Sequence, residues 1–217
     1  MRLIGILGGT FNPIHFGHLR MAQEIADALE LSEVRFIPAA NPPHKELPKV
    51  SAKSRAKMVE LAIKDNPLFK LDERELNRVG ASYTIDTLIS LRAEVEAEFD
   101  DVALCLIMGS DAFTKLNTWH HWQEILDFCH IILVQRPVTS TDQPPLNNDL
   151  ALLLQNHYTE NVSDLSSQKA GFIHMQSITA LSISSTTIRS IFNLNKNPHY
   201  LMPKVVIEYI EENQFYK

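Results

Sequence analysis

The sequence predicts an α/β fold in which a doubly wound parallel sheet carries helices on both faces. Three observations support this prediction. Short apolar runs alternate along the chain with segments of helical periodicity. One run, residues 102–108, is apolar throughout, which is typical of a central parallel strand covered on both faces. Polar motifs follow several of the runs, and ligands of such sheets bind beyond the carboxyl ends of the strands.

The predicted elements follow one another in alternating order. Strands are expected at residues 3–7, 33–38, 68–71, 102–108, 130–134 and 171–178. Helices are expected after His15, after Ser51, after Ser82-Tyr83-Thr84, around Trp119 and Trp122, at 149–157, after Ser184 and at 203–213. Ser51 can cap the helix that follows it. A polar, proline-containing stretch at 138–148 predicts a loop. We expect one domain, residues 1–217, with a small helical region at about 184–217.

Composition limits the classes of function. A chain of 217 residues can bury a substantial core. Its formal net charge of −6 argues against a general nucleic-acid-binding surface, which would be basic. The apolar run before Gly8 is too short for a signal peptide, and no run reaches membrane-spanning length. Cys105 and Cys129 lie in apolar runs, where they are expected to fill core space, and we expect a cytoplasmic protein.

The strongest chemical motif, GGTFNPIHFGH at residues 8–18, follows the first predicted strand. A strand, a glycine turn and a helix N-terminus favour a bound phosphate, because glycine lets the backbone approach closely and free N–H groups attract an anion. His15 and His18 are three residues apart, so both imidazoles can reach one bound group if the helix has begun by His15. A surface turn with incidental histidines, or a zinc pair, would show the same spacing.

A second motif, ISSTTIR, occupies residues 183–189. Hydroxyl side chains favour a helix start, where they cap some N–H groups and leave others to meet an anion. Ser185 and Arg189 are four residues apart, so we expect the guanidinium to fold back onto the face of the hydroxyl. Arginine can donate two hydrogen bonds to a phosphate. A capped helix with a solvated arginine is the alternative for this motif alone.

Together, GGTFxPxHxGH and ISSTxxR resemble the signatures of the nucleotidyltransferases that transfer adenylyl groups from ATP. The resemblance implies a Rossmann-like nucleotidyltransferase fold, catalytic roles for His15, His18 and Arg189, and Mg²⁺ that is carried with ATP and needs no protein metal site. The implied ATP-binding residues are Gly8, Gly9, Thr10, Phe11, His15, His18, Gly109, Asp111, Ile183, Ser184, Ser185, Thr186 and Arg189.

Between the two motifs, PPHK (42–45), LDEREL (71–76), SYTIDTL (82–88), GSD (109–111) and RP (136–137) occur in the order seen in bacterial nicotinate-nucleotide adenylyltransferases. This resemblance covers nearly the whole chain and implies that nicotinate mononucleotide is the acceptor. Trp119 would stack on the pyridine ring, Thr84 would receive its carboxylate, and Asp111 would hold the adenosine ribose. The implied acceptor-binding residues are His44, Lys45, Tyr83, Thr84, Trp119 and Arg136.

Several alternatives stay open at this point. Core packing is an alternative role for Trp119, and helix capping is one for Asp111. Three features depart from the family pattern: Asn12 where Asp is usual, Ala39 where Asn is frequent, and His120-His121 after the tryptophan. The acceptor could instead be nicotinamide mononucleotide or phosphopantetheine, or the chain could be a non-catalytic nucleotide-binding sensor. We expect neither a nucleic-acid nor a membrane partner, and the oligomeric state is open.

Overall fold

The computed structural model describes residues 1–42, 48–135, 146–179 and 181–217. The predicted site residues His44, Lys45 and Arg136 lie outside these ranges.

Seven strands within the described ranges join into one sheet. They are β1 (Arg2–Gly9), β2 (Glu33–Pro38), β3 (Phe69–Leu71), β4 (Val102–Gly109), β5 (His130–Gln135), β6 (Tyr158–Thr159) and β7 (Ile173–Ser177). Their order is β3-β2-β1-β4-β5-β7-β6, and every neighbouring pair is parallel. The chain therefore winds from β1 to one edge and from β4 to the other, which confirms the predicted doubly wound fold. The sequence analysis missed β6, whose two residues are too few to show a pattern.

Eight α-helices occur in the same part of the chain. They are α1 (Phe16–Ala28), α2 (Ala52–Ile63), α3 (Thr84–Glu98), α4 (Ser110–Phe113), α5 (Ile125–Phe128), α6 (Asn148–His157), α7 (Ser185–Asn193) and α8 (Lys204–Glu212). The Ser51 hydroxyl caps α2 by accepting a hydrogen bond from the Ser54 N–H at 3.1 Å, as predicted. None of the described helices is both long enough and apolar enough to cross a membrane.

The helical stretch predicted around Trp119 and Trp122 forms only in part. Two short 3₁₀ turns, Leu116–Thr118 and Trp122–Glu124, occupy this segment, and the second leads into α5. Trp119 has extended backbone between the turns, and His121 is left-handed at φ 50°. These two residues interrupt the helix, while the buried side chains of Leu116 and Ile125 hold the ends of the segment in the core.

Each face of the sheet carries its own apolar core, because successive side chains of a strand point to opposite faces. Leu3 and Leu7 of β1 pack on the side of α1, α2, α7 and α8. Ile4 and Ile6 pack on the other side, against α3, α5 and α6. The small helical region therefore contributes Ile188, Phe192, Val206, Ile207 and Ile210 to the same core cluster as β1.

The register of the central strands brings the ends of β1 and β4 level at the carboxyl end of the sheet, and we call the space beyond these ends the crevice. Ile6 of β1 lies level with Leu106 of β4, so these strands reach Gly9 and Gly109 at the same height. β1 and β4 are also the strands at which the winding changes direction. A doubly wound sheet binds ligands beyond the carboxyl ends of its strands at this switch point.

Candidate active site

The loop between β1 and α1 forms the floor of this crevice. Gly8 and Gly9 are the last residues of β1, so the expectation of a glycine turn is wrong. The turn is instead made by residues 10–14, and its left-handed residue is Phe11, at φ 45°. The buried Phe11 ring is held against Phe36 and His18, with ring centres 5.9 and 5.2 Å apart. A side chain on Gly8 would meet no atom within 4 Å, so the backbone at the strand end is open to close approach.

The two histidines of the first motif stack on each other at the start of α1. Their ring centres are 3.8 Å apart, with 27° between the planes. His15 is the N-cap of the helix, and its Nδ1 accepts from the Gly17 N–H at 3.1 Å. Nδ1 of His18 accepts from the His15 N–H at 3.3 Å. Both rings use Nδ1 as acceptor, so the proton of a ring in its neutral form lies on Nε2.

Steric constraints explain why residue 17 of the HxGH motif is glycine. A Cβ on Gly17 would lie 2.9 Å from Nδ1 of His15 and 3.6 Å from the main-chain oxygen of Ile183. Only glycine leaves room for the His15 ring to fold over the first turn of α1. The same distances show that the second motif packs directly on this turn.

The start of α1 differs from the sequence expectation in one respect. Its first N–H groups were predicted to be free for an anion, but the structure engages them within the protein. The Phe16 N–H donates to the Leu201 oxygen at 3.0 Å, Gly17 to His15 Nδ1, and the His18 N–H to the His15 oxygen at 2.9 Å. An anion at this helix would therefore be held by the imidazole rings and not by the amides.

The environment of His18 keeps its ring neutral. Burial is the main cause, and the neighbouring His15 adds to it, so that the pKa of His18 falls to about 3. At neutral pH His18 is therefore a hydrogen-bond donor through Nε2–H and carries no full positive charge. A bound polyphosphate would raise this pKa, because an anion favours the protonated ring.

The second motif clamps the first. Ser184 is the N-cap of α7, and its hydroxyl accepts from the Thr187 N–H at 3.1 Å. The Ser185 hydroxyl donates to the Pro13 oxygen at 2.9 Å. Arg189 donates from Nη1 to the Asn12 oxygen at 2.9 Å and from Nη2 to the Thr186 hydroxyl at 3.2 Å. Ser185 and Arg189 thus bond to adjacent main-chain oxygens of the first motif, as expected for two side chains that share one face of α7.

The start of α7 keeps groups suited to an anion. Ser185 and Thr186 occupy its first turn, where an α-helix leaves N–H groups without an intrahelical acceptor. The helix has nine residues, and its dipole adds a partial positive charge at this end. The Ile183 main chain leads into this turn beside Gly17. Both motifs therefore border the same strand ends.

Arg55 is a site residue that the sequence analysis missed. This α2 side chain is only 1% exposed. Its Nη1 donates to the Thr10 oxygen at 2.6 Å and its Nη2 to the Ala39 oxygen at 2.7 Å, so it joins the loops that follow β1 and β2. No salt bridge to Arg55 occurs among the described residues. The sequence does contain a signal for Arg55: it is a charged residue on the same helical face as the apolar Met58 and Val59, which predicts a buried charge with polar partners.

The end of β4 places Asp111 at the crevice. Gly109 is the N-cap of α4, and no side chain caps this helix, so the capping alternative for Asp111 is wrong. A Cβ on Gly109 would lie 2.7 Å from Oδ1 of Asp111, so glycine lets the carboxylate fold back over the strand end. The Asp111 side chain is exposed there, one strand away from the HxGH turn.

The predicted acceptor residues gather at the start of α3. Tyr83 is its N-cap, Thr84 is its first residue, and both are half-buried. The Tyr83 ring lies 4.3 Å from the ring of His120, which is itself exposed. Trp119 and Tyr83 both pack partly against the second core cluster. Trp119 therefore combines core contact with partial exposure, and it packs against the same core cluster as Tyr83.

A buried polar network supports the start of α3. The Thr87 hydroxyl donates to Oε1 of the buried Glu75 at 2.8 Å. Arg78 donates from Nη2 to the Tyr83 oxygen at 3.3 Å. Burial raises the pKa of Glu75. The LDEREL motif thus supports the start of α3 through Glu75, a role that its spacing alone did not indicate.

The geometry suits binding of a polyphosphate across β1 and α7. Imidazole, guanidinium, hydroxyl and main-chain N–H groups surround the strand ends, whereas carboxylates are few. Among the described residues, no group of three or more His, Cys, Asp or Glu side chains could hold a metal ion. Mg²⁺ prefers oxygen ligands, so these nitrogen-rich groups suit the anion better than the cation.

Comparisons with known proteins agree with this arrangement. A family model described as cytidylyltransferase-like matches residues 6–191. A protein of Aeromonas hydrophila and one of Hydrogenovibrio crunogenus, each named "Probable nicotinate-nucleotide adenylyltransferase", are both 44% identical to this chain. The alignments cover 99% and 100% of this chain and 97% and 98% of the relatives.

Two solved structures share the fold. Plasmodium falciparum nicotinic acid mononucleotide adenylyltransferase complexed with NaAD has a TM-score of 0.71 at 18% identity, and the same enzyme complexed with APC has 0.69 at 17%. Each comparison covers 100% of this chain and 98% of that chain. At these identities the likeness establishes the fold alone.

Proposed function

Since the chain belongs to the nicotinate-nucleotide adenylyltransferases of the cytidylyltransferase-like family, we infer that it transfers the adenylyl group of ATP to nicotinate mononucleotide. The products are nicotinate adenine dinucleotide and pyrophosphate, and the reaction is a step of NAD biosynthesis. The main structural support for this inference is the contact between the two motifs. Ser185 and Arg189 of the second motif donate hydrogen bonds to the main-chain oxygens of Pro13 and Asn12 in the first.

The reaction needs alignment and charge stabilisation more than proton transfer. A phosphate oxygen of nicotinate mononucleotide attacks the α-phosphorus of ATP, and the bond from that phosphorus to the bridging oxygen of pyrophosphate breaks. The attacking phosphate is already an anion near neutral pH, so no side chain has to remove a proton. Donors that meet the developing charge in line with the attack lower the barrier.

The triphosphate is assigned to the β1 and α7 side of the crevice. His15 and His18 would donate from Nε2, and Arg189 would supply the full positive charge. Thr10, Ser184, Ser185, Thr186 and the open backbone of Gly8 and Gly9 would complete the phosphate site. Phe11 and Ile183 would border this phosphate site. Asp111, which follows Gly109, would accept hydrogen bonds from the ribose hydroxyls. The neutral state of His18 supports a donor role that gains charge only as the anion binds.

The acceptor is assigned to the start of α3. Trp119 offers a flat apolar face for the pyridine ring, and the helix N-terminus at Thr84 favours the carboxylate. Tyr83, together with His44, Lys45 and Arg136 beyond the described residues, completes the proposed set. A carboxylate gains more than an amide from a helix N-terminus, which supports nicotinate mononucleotide over its amide.

Magnesium belongs to the substrate in this proposal. The ion would enter on the triphosphate, because the side chains around the strand ends are chiefly nitrogen donors and hydroxyls. Pyrophosphate release should therefore require Mg²⁺, while the folded protein should not. Thermal unfolding with and without EDTA, in the absence of ATP, separates the two requirements.

The location of the protein is a further part of the proposal. We place it in the cytoplasm, where ATP is available and thiols stay reduced. Cys105 and Cys129 are both free and buried, and burial raises the pKa of the Cys105 thiol to about 12. These thiols support a reducing compartment, and fractionation of the source cells tests it.

Pyrophosphate release by the purified protein tests the function. MgATP is supplied with nicotinate mononucleotide, nicotinamide mononucleotide, phosphopantetheine or no acceptor. The expected result is rapid release only with nicotinate mononucleotide. Equal rates with the amide would contradict the acid preference, and ATP binding without release with any acceptor would indicate the sensor alternative. His18→Asn serves as the control for contaminating activity.

A further inference from the structure

We propose that Tyr216 is a positioning residue for adenylyl transfer, acting through Asn12 on the loop that Arg189 also holds. The inference rests on the proposed function, because it concerns the geometry of the phosphate site. Tyr216 lies 204 positions from Asn12 in the chain, and its hydroxyl donates to Oδ1 of Asn12 at 2.6 Å. It belongs to neither motif.

Asn12 is held from two sides. Its main-chain oxygen accepts from Arg189, and its side-chain oxygen accepts from Tyr216. The neighbouring Pro13 oxygen accepts from Ser185. With the Arg55 bond to the Thr10 oxygen, the Tyr216 contact is therefore the fourth tether of a loop that begins at the open strand end and leads into the stacked histidines. Loss of this tether would leave the Asn12 amide without its partner and allow the loop and Arg189 to shift together.

The surroundings of Tyr216 suit a rigid tether. Its ring packs between Phe192 of α7 and Phe215, with ring centres 6.1 and 6.4 Å away. Burial raises the pKa of the phenol, so the hydroxyl stays a neutral donor at every working pH. A half-buried ring supported by aromatic neighbours loses little further freedom when it makes one hydrogen bond, which suits it to fix a loop.

The contact between Tyr216 and Asn12 adds no negative charge to the site. Asn12 carries no charge, whereas an aspartate at this position would carry one. Arg189 and Arg55 lie near enough to Tyr216 for their charges to act on its pKa. No salt bridge joins either arginine to a carboxylate within the described ranges. Tyr216 thus orders the loop through a neutral hydrogen bond, and the positive charges of Arg189 and Arg55 are not neutralised by a carboxylate at residue 12.

The test compares Tyr216→Phe with Tyr209→Phe. Tyr209 is a matched control, since its ring also packs on Phe215 and it is also half-buried. We expect Tyr216→Phe to lower kcat about 10-fold, with KM for nicotinate mononucleotide within twofold and Tm within a few degrees. Tyr209→Phe should keep kcat within twofold of wild type. A merely structural role would lower Tm and leave the kcat of the folded enzyme unchanged.

A double-mutant cycle with Asn12→Ala tests the proposed path. If Tyr216 acts through Asn12, adding Tyr216→Phe to Asn12→Ala should lower kcat by less than twofold further. A second 10-fold loss in that background would overturn the path, and a wild-type kcat for Tyr216→Phe alone would overturn the inference. Wild-type turnover in the same assay distinguishes failure of the proposed function from failure of the Tyr216 inference. An inactive wild type would contradict the proposed function itself.

Hydrogen exchange supplies a readout that is independent of turnover. The amides of Phe11, Asn12, Ile14, His15 and Phe16 should exchange faster in Tyr216→Phe than in wild type and Tyr209→Phe. Unchanged exchange in this segment would contradict the tether even if activity fell.

Discussion

Arg189 donates a hydrogen bond from Nη1 to the main-chain oxygen of Asn12 at 2.9 Å, although 177 positions separate the two residues in the chain. Its second donor, Nη2, contacts Thr186 on its own helix. The guanidinium is thus oriented on both sides before any substrate arrives. Preorganised donors of this kind stabilise developing charge without having to reorganise during the reaction.

Arg189→Lys should separate geometry from charge. Lysine keeps the positive charge but cannot bridge Asn12 and Thr186 with a planar fork. We expect kcat to fall about 100-fold, as is typical when one preorganised donor is lost. Steady-state pyrophosphate release measures it, with Arg20→Lys as the control, because Arg20 is an exposed arginine on α1. A loss of less than threefold would show that only the charge matters.

His18 should have two separable roles. Its Nδ1 accepts from the His15 N–H, which stabilises the start of α1, and its Nε2–H is assigned to the triphosphate. His18→Ala should lower kcat by two to three orders of magnitude and stability by about 1 kcal/mol. His18→Asn should be as inactive but more stable, because its amide oxygen can replace the accepting nitrogen. Urea unfolding and turnover of both variants check this, and equal stabilities would argue against the cap.

The neutral state of His18 predicts a pH dependence of stability. The pKa of His18 is about 3 in the folded protein, against an ordinary value of 6.5, so the unfolded chain binds more protons between these values. Its contribution is therefore complete above pH 6.5 and is lost as the pH falls toward 3. Urea midpoints at pH 7.5, 6 and 5 should decline more steeply for wild type than for His18→Asn. Parallel declines would contradict the lowered pKa.

Arg55 should matter for both the fold and the site. Arg55→Met would leave the Thr10 and Ala39 oxygens without their donor in a buried place, and should lower the free energy of unfolding by about 3 kcal/mol. Arg55→Lys keeps the charge but cannot reach both loops, so it should recover only part of this loss. Denaturant unfolding gives the stabilities. Two variants as stable as wild type would show that the carbonyls find other donors.

Trp119 should act mainly on the acceptor. Trp119→Ala removes a partly exposed ring that packs against the same core cluster as Tyr83, and KM for nicotinate mononucleotide should rise about 10-fold while KM for ATP changes little. Trp122→Ala is the control, since Trp122 also packs partly on the second core cluster. The same rise in both variants would mean that each tryptophan only supports the core.

Most of the fold was predictable because its signals are local. The buried strands 33–38 and 102–108 and the Ser51 cap follow from apolar runs and capping chemistry, and all three form as expected. The missed β6 is too short for such a signal, and the Trp119 segment is shaped by its anchors in the core. The helical region at about 184–217 as part of a single domain stays a prediction.

The kinds of chemical group at this site can be read from the two motifs, which carry imidazoles, hydroxyls and a guanidinium suited to a triphosphate. The way in which these groups are arranged comes from the packing of the folded chain. This packing placed Arg189 on Asn12, turned Ser185 to Pro13, satisfied the first amides of α1 within the protein, and brought Arg55 and Tyr216 to the same loop. The physical reason is sequence separation: contacts between residues that are 45 to 204 positions apart depend on how the sheet packs its helices, which no local pattern encodes.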